Sequence, residues 1–216
     1  SMENSSYILD LNNNSQVQDP NAPSAPAVPS GNQADFAKTV SGDNFISFLS
    51  YDGDTKNLPL VLSTSSDLLN FGTIQPGEPI IRTLSLTVLP GSTQGYQVLS
   101  YQNHALEGDG GTQIPNTTCD NGACTPILPD IWAIPLTYGF GYRCDNLEGN
   151  GCDRNLKKDY YKSFANEKAN EFPAGILEVD GSTKSQAIIS YKVNVSGNQA
   201  NKAYQTTIYH IATPDL

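Results

Sequence analysis

Few residues in this chain of 216 are of types that could do chemistry, and they cluster. Four cysteines stand in two close pairs, Cys119 with Cys124 and Cys144 with Cys152, in the strings CDNGAC and CDNLEGNGC. An even number, close pairing and a Gly/Asn-rich setting favour disulfides made in an oxidising compartment. Free thiols and a four-thiolate zinc are the alternatives, although structural zinc sites usually bring CxxC spacing. Around the second pair, Asp145, Asn146, Glu148, Asn150 and Asp153 offer closely spaced oxygen ligands, which suits calcium. They lack the D-x-D-x-D-G order of a helix–loop–helix site, and Asn, Asp and Gly are equally the residues of ordinary turns. Asp52 and Asp54 support the same reading more weakly. No cofactor is expected, and calcium is the one ion these residues could hold.

Catalytic signatures are missing. The two histidines, His104 and His210, fall at the ends of strand patterns, and no GxSxG, HExxH or glycine-rich phosphate loop is present. The chain therefore reads as a non-enzyme. Lys184 and Lys192 lie on or beside strands and could supply an intramolecular Lys–Asn or Lys–Asp cross-link, but the sequence selects no partner. Tyrosine is the commonest aromatic, with 11 residues. Tyr138, Tyr142, Tyr160 and Tyr161, with Tyr101, crowd around the cysteine-bearing half. They either fill half-buried strand positions with a wet hydroxyl or build a flat contact surface for a glycan or a protein.

The elements that must position these residues read as strands. In Trp132 to Asp153, Leu136, Tyr138, Phe140 and Tyr142 interleave with Thr137, Gly139, Gly141 and Arg143, the period of a strand with one aromatic and one nearly bare face. Interior glycines weaken a strand unless something approaches the bare face closely or the strand bends. Strands are also expected at Phe45 to Leu49, Ile80 to Leu89, Tyr96 to Tyr101, Ser185 to Val195 and Ala203 to Ala212, and Leu58 to Leu62 and Leu68 to Phe71 are short apolar runs. Turns at Pro90-Gly91 and Gly197-Asn198 suggest that the neighbouring strands pair as hairpins. Asn155 to Lys168 is the one helix candidate, with Leu156, Tyr160, Tyr161 and Phe164 near one face. Residues 107–130 form a long loop, restrained if the first cysteine pair is bridged. The expected fold is all-β: an antiparallel Ig-like or jelly-roll-type β-sandwich of about seven to nine strands, with one short helix and long disulfide-bearing loops.

Composition sets outer limits. Charged residues are only 16% of the chain and the net charge is −10. That field repels phosphate backbones and anionic membrane surfaces, so nucleic-acid binding and direct membrane insertion are not expected. Residues 1–35 are rich in Asn, Ser and Pro, with Pro20, Pro23, Pro26 and Pro29 in the phase of a polyproline II spacer. The expected organisation is a flexible segment over 1–35 and a single sandwich domain over 36–216. Tyr7 to Leu11 could add a short edge strand. Ser1-Met2 has the look of a tag scar, and export by a signal peptide absent from this chain is expected.

The string FGTIQPGEPIIRTLSLTV, the following GYQV and the closing YKVNVSGNQANKAYQTTIYHIATP resemble exported bacterial β-sandwich proteins of the WxL-like and spore-coat-U-like type. The middle, TYGFGYRCDN with TTCDNGAC upstream, is similar to uncharacterised surface proteins of candidate-phylum lineages. The WxL signature itself is absent, because Ala133-Ile134 follows Trp132. The resemblance implies a cell-surface or secreted, non-catalytic role. The expected function is thus an extracellular or cell-surface module, structural or adhesive in the cell envelope. The alternative is a secreted carbohydrate-binding or carbohydrate-active protein using surface Tyr, Asp and Glu. The expected partner is a cell-envelope polymer, a glycan or another surface protein, with the chain monomeric or weakly self-associating.

Overall fold

The structure, a computed structural model, describes residues 9–10, 45–47, 58–153 and 156–215. Most of the proline-rich segment lies outside these, as do Phe48, Leu49, Asp52, Asp54 and Asn155. The described chain is almost entirely strand: β1 (Leu9–Asp10), β2 (Phe45–Ser47), β3 (Val61–Thr64), β4 (Ile80–Leu89), β5 (Gly95–Gln102), β6 (Leu106–Gly108), β7 (Thr112–Ile114), β8 (Asp130–Ile131), β9 (Gly139–Glu148), β10 (Tyr160–Tyr161), β11 (Ala174–Asp180), β12 (Ser185–Asn194), β13 (Tyr204–Gln205) and β14 (Ile208–Pro214). Two larger antiparallel sheets carry the fold, ordered β1-β14-β5-β11 and β2-β3-β4-β12-β9. Two small ones, β13-β6-β7 and β10-β8, attach to them.

The alternation of β12 shows why the sheets stack. Ala187, Ile189, Tyr191 and Val193 share one face and are all fully buried. Leu84, Leu86 and Val88 of β4 join them from the same sheet, and Tyr96, Val98, Leu177 and Val179 from the other. A period of two in both sheets places every second side chain in the space between them.

Two expected pairings are corrected. β4 and β5 are joined through Pro90-Gly91 but do not form a hairpin: β4 lies between β3 and β12, and β5 between β14 and β11. Likewise β12 and β14, at the end of the chain, belong to different sheets. Both connections cross from one layer to the other, because each strand is buried on its inner face and already flanked on both edges within its own sheet.

The expected helix is corrected as well. Asp159 has φ of 61°, which no α-helix accommodates. The segment after it is an extended strap. Lys162 and Tyr142 exchange backbone hydrogen bonds at 2.8 and 2.9 Å, and the Gln102 N–H donates to the Ala165 carbonyl at 2.8 Å. The strap thereby ties β9 of one sheet to β5 of the other. Phe164 is buried from it into the aromatic core, where an amphipathic helix would have left half its surface wet. A single 3₁₀ turn, Glu167–Ala169, is what remains of helix here.

Candidate functional site

β9 organises this half of the molecule as its alternation suggests. Phe140 and Tyr142 point inward and stack on Phe164, with ring centroids 5.3 and 4.4 Å apart. The bare face is bare because other groups press on it. A Cβ on Gly141 would sit 2.7 Å from both the Lys162 carbonyl oxygen and Thr117 Cγ2, and 3.3 Å from the Trp132 ring. Gly139, at φ 133°, lies against the backbone of Thr117. The strand therefore serves as a seat for the loop that carries the first cysteine pair.

Both cysteine pairs are disulfides, Cys119–Cys124 and Cys144–Cys152, and all four half-cystines are buried. The first bond closes a short loop directly beneath Trp132 and Tyr161, with which it forms a compact cluster. The second ties the end region of β9 to the turn that follows it.

The oxygen ligands proposed for calcium do not converge. β9 continues through Glu148, so Asp145 to Glu148 alternate across a strand where a loop was expected. Asp145 forms a two-pronged pair with Arg143 (2.7 and 2.5 Å), and this carboxylate holds the Arg143 guanidinium pKa above its usual value. Glu148 pairs with Lys184 at 2.7 Å. The Asn146 side-chain oxygen accepts the Cys152 N–H at 3.0 Å, and the Asn150 carbonyl accepts the Ser185 hydroxyl at 2.7 Å. Burial lowers the Lys162 pKa, and the charge of Asp153 opposes that shift. Among the described residues no three of His, Cys, Asp and Glu gather as a metal site.

The four tyrosines separate into two groups. Tyr142 is sealed in the core, where burial raises its phenol pKa, and Tyr161 is buried edge-on against Trp132 at 5.5 Å. Tyr160 is half-buried with Lys157 over its ring, and Tyr138 is exposed. They make no common surface. Of the histidines, His210 is 1% exposed, faces Tyr191 Oη across 3.0 Å, and is pushed down to about 4 by burial. His104 turns back onto the carbonyl of Ala105 at 2.7 Å.

The residue that sequence reasoning gave no such role is Lys192. It lies on the face of β12 opposite the core, yet is only 6% exposed. Its ammonium sits 4.5 Å from the Trp132 ring centroid and 5.0 Å from that of Tyr161, and donates to the Trp132 carbonyl at 2.6 Å. Burial lowers its pKa, against the opposing charges of Asp120 and Asp159. One lysine on the outer face of a central strand, with the chain's single tryptophan in a nearby loop, was the signal available.

Lys192 works with Asp120 and Asn194 to hold residues 132–137, the part after β8 of the segment 125–138. Asp120 Oδ2 accepts the N–H groups of Ala133 (2.7 Å) and Ile134 (3.0 Å). Burial would raise the Asp120 carboxyl, but these donors, the Thr137 hydroxyl and Lys192 bring it below the usual carboxylate range. Asn194 Nδ2 donates to the carbonyls of Pro135 (2.6 Å) and Thr137 (2.9 Å), and Trp132 Nε1 donates to Thr137 as well. Farther out, the Thr125 hydroxyl accepts the N–H groups of Ile127 and Leu128. With its backbone turned inward, the loop turns its apolar side chains outward. Ile127, Leu128, Ile134 and Leu136 are between 52% and 74% exposed, and Tyr138 is exposed beside them.

A cleft of about 830 Å³ opens elsewhere, walled by residues 66–76 on one side and 199–206 on the other. Its floor is core, including Leu84, Ile114 and Phe140, while Phe71, Ile74 and Tyr204 are half-buried on its walls. Amides of Asn70, Gln75, Asn201 and Gln205 lie around the rim.

No protein family, curated protein or solved structure matches this chain. Among the described residues no helix is long and apolar enough to cross a membrane. Two disulfides on an all-β frame are the chemistry of an oxidising, extracellular environment.

Proposed function

We propose that this chain is a non-catalytic module of the cell surface or the extracellular space, structural or adhesive, whose contact face is the loop of residues 125–138. One observation carries this reading: a segment with exposed aliphatic side chains is held by a buried disulfide at its base, a buried lysine and a half-buried aspartate. Exposed apolar groups on a mobile loop would cost ordering entropy on every encounter. On a loop already fixed, most of that cost has been met in folding. Burial of four such side chains is then free to drive association.

The test is fractionation of cells that make the protein, with alkylation of the denatured, unreduced chain. The expected result is protein in the envelope or medium with no alkylated cysteine, and a shift from envelope to medium in the Leu128→Asp/Leu136→Asp variant. Cytosolic protein with four alkylated thiols, or unchanged envelope retention in the variant, would overturn the reading.

A second reading, carbohydrate binding, is favoured by the cleft and not by the tyrosines first considered. Amides that both donate and accept suit sugar hydroxyls, and Phe71 and Tyr204 offer ring faces. Saturable binding of a neutral hexasaccharide, weakened by Asn201→Ala/Gln205→Ala, would support it.

A further inference from the structure

We infer that the cleft between residues 66–76 and 199–206 takes an uncharged glycoside with an apolar aglycone. The sugar meets the amide rim, and the aglycone goes down between the half-buried walls toward the core. This inference rests on the reading of the cleft as a carbohydrate site and names the kind of carbohydrate it takes.

Polarity changes with depth. At the mouth, Asn70, Gln75, Asn201 and Gln205 are exposed, and an amide both donates and accepts. Below them the walls are apolar: Leu69, Phe71, Ile74 and Tyr204 are half-buried and pack against the core. The Tyr204 hydroxyl is already engaged, donating to the Ala200 carbonyl at 2.8 Å and accepting from Gln199 Nε2 at 2.6 Å. What this residue has left to offer is its ring. The base is the inter-sheet core itself, with Leu84 and Tyr191 from one sheet and Ile208 from the other. Among the described residues, no buried polar side-chain atom that lacks a partner belongs to the lining. A sugar pressed to that depth would give up the hydration of its hydroxyls for nothing, whereas an apolar group gains by the same move.

Charge and size narrow the ligand further. Of the described residues on the lining only Asp67 and Lys202 are charged, one of each sign, so the cleft as a whole selects neither ion. The Lys202 ammonium is also engaged, donating to the Asp109 carbonyl. An anionic head therefore finds no open counter-charge, and the net charge of −10 opposes it again. The volume, about 830 Å³, lies within the roughly 300–1,000 Å³ of sites that enclose a small molecule. That is room for a short glycoside and not for a folded partner. Phe71 stands edge-on against Phe140 with ring centroids 6.0 Å apart, so this wall is formed before a ligand arrives.

Calorimetric titration of the full chain with methyl, hexyl and octyl β-maltoside, each below its micelle concentration, tests this. Saturable binding at one site is expected, tightening roughly tenfold from hexyl to octyl as two more methylenes are buried. Ile74→Ser is expected to flatten that gain. Asn201→Ala/Gln205→Ala is expected to weaken all three ligands while leaving the gain in place. Octyl tri(ethylene glycol), the same chain on a head without a sugar, is expected to bind several-fold more weakly than octyl maltoside. The wild-type series decides the main point should a variant fail to fold. Octyl maltoside that fails to bind, or binds no tighter than methyl maltoside, overturns the inference. If the neutral hexasaccharide still binds saturably, the carbohydrate reading stands and only the aglycone falls; if it too fails, both fall. A chain-length gain that a folded Ile74→Ser leaves intact overturns the inference as well, because the chain is then held elsewhere. Equal binding of octyl tri(ethylene glycol) overturns the sugar.

Discussion

His210 and Lys192 are two buried ionisable groups that matter in different ways. His210 is neutral in the fold, with a pKa of about 4 against an ordinary 6.5. The unfolded chain therefore takes up a proton first. Stability is undiminished above pH 6.5 and falls as the pH drops toward 4, by about 3 kcal/mol across that window. Urea unfolding at pH 7 and pH 4.5 checks this, and His210→Asn is expected to flatten the dependence without abolishing it. Asp120 contributes in the same direction, because its carboxyl lies below the ordinary range and loses its advantage as acid protonates it. Lys192 matters through geometry. Lys192→Met leaves the Trp132 carbonyl without its donor inside the protein and is expected to cost about 1–3 kcal/mol, read as a lowered urea midpoint.

Among the elements, β9 and the loop seated on it fail or stand together. Gly141→Ala places a Cβ against the Lys162 carbonyl, so strap or loop must shift, and a loss of about 1–3 kcal/mol in chemical denaturation is expected. Cys119→Ser/Cys124→Ser removes a bridge between residues separated by 5 in sequence, which the loop-closure argument values at about 2 kcal/mol. This level was also where sequence was least complete as a guide. The period of two on β4, β9 and β12 was plain, and the two glycines marked either close approach to the bare face or a bend, of which the structure has close approach. The helix over 155–168 was not foreseeable as a strap. Spacings of three and four in Leu156, Tyr160, Tyr161 and Phe164 arise equally when a chain weaves between two sheets and buries whichever side chain faces inward. Asp145 to Glu148 misled for a related reason: residues that ligate metal in a loop can just as well finish a strand and pair with Arg143 and Lys184.

Taken as a whole, the molecule is a pair of sheets whose sequential strands change layer, and turn residues could not reveal this. Pro-Gly and Gly-Asn mark where a chain reverses, but the choice between a hairpin and a crossover depends on which edges are already occupied. The disulfides were legible because close cysteines leave few partners. The face they support was not: Ile127 and Leu128 fall in the loop expected over 107–130, Leu136 on a strand pattern, and nothing in the sequence marks them as exposed. Thr125 holds the N–H groups of Ile127 and Leu128, while Asp120 and the distant Lys192 and Asn194 take the backbone groups of residues 132–137.

That inversion, backbone held inward and side chains outward, is the central claim, and amide hydrogen exchange tests it directly. The N–H groups of Trp132, Ala133 and Ile134 are expected to exchange slowly although Ile134 and Leu136 are exposed, and to lose that protection in Lys192→Met. Exchange of these amides at the rate of an unstructured chain would contradict the account. The loop would then be a mobile segment, with no preformed face to present.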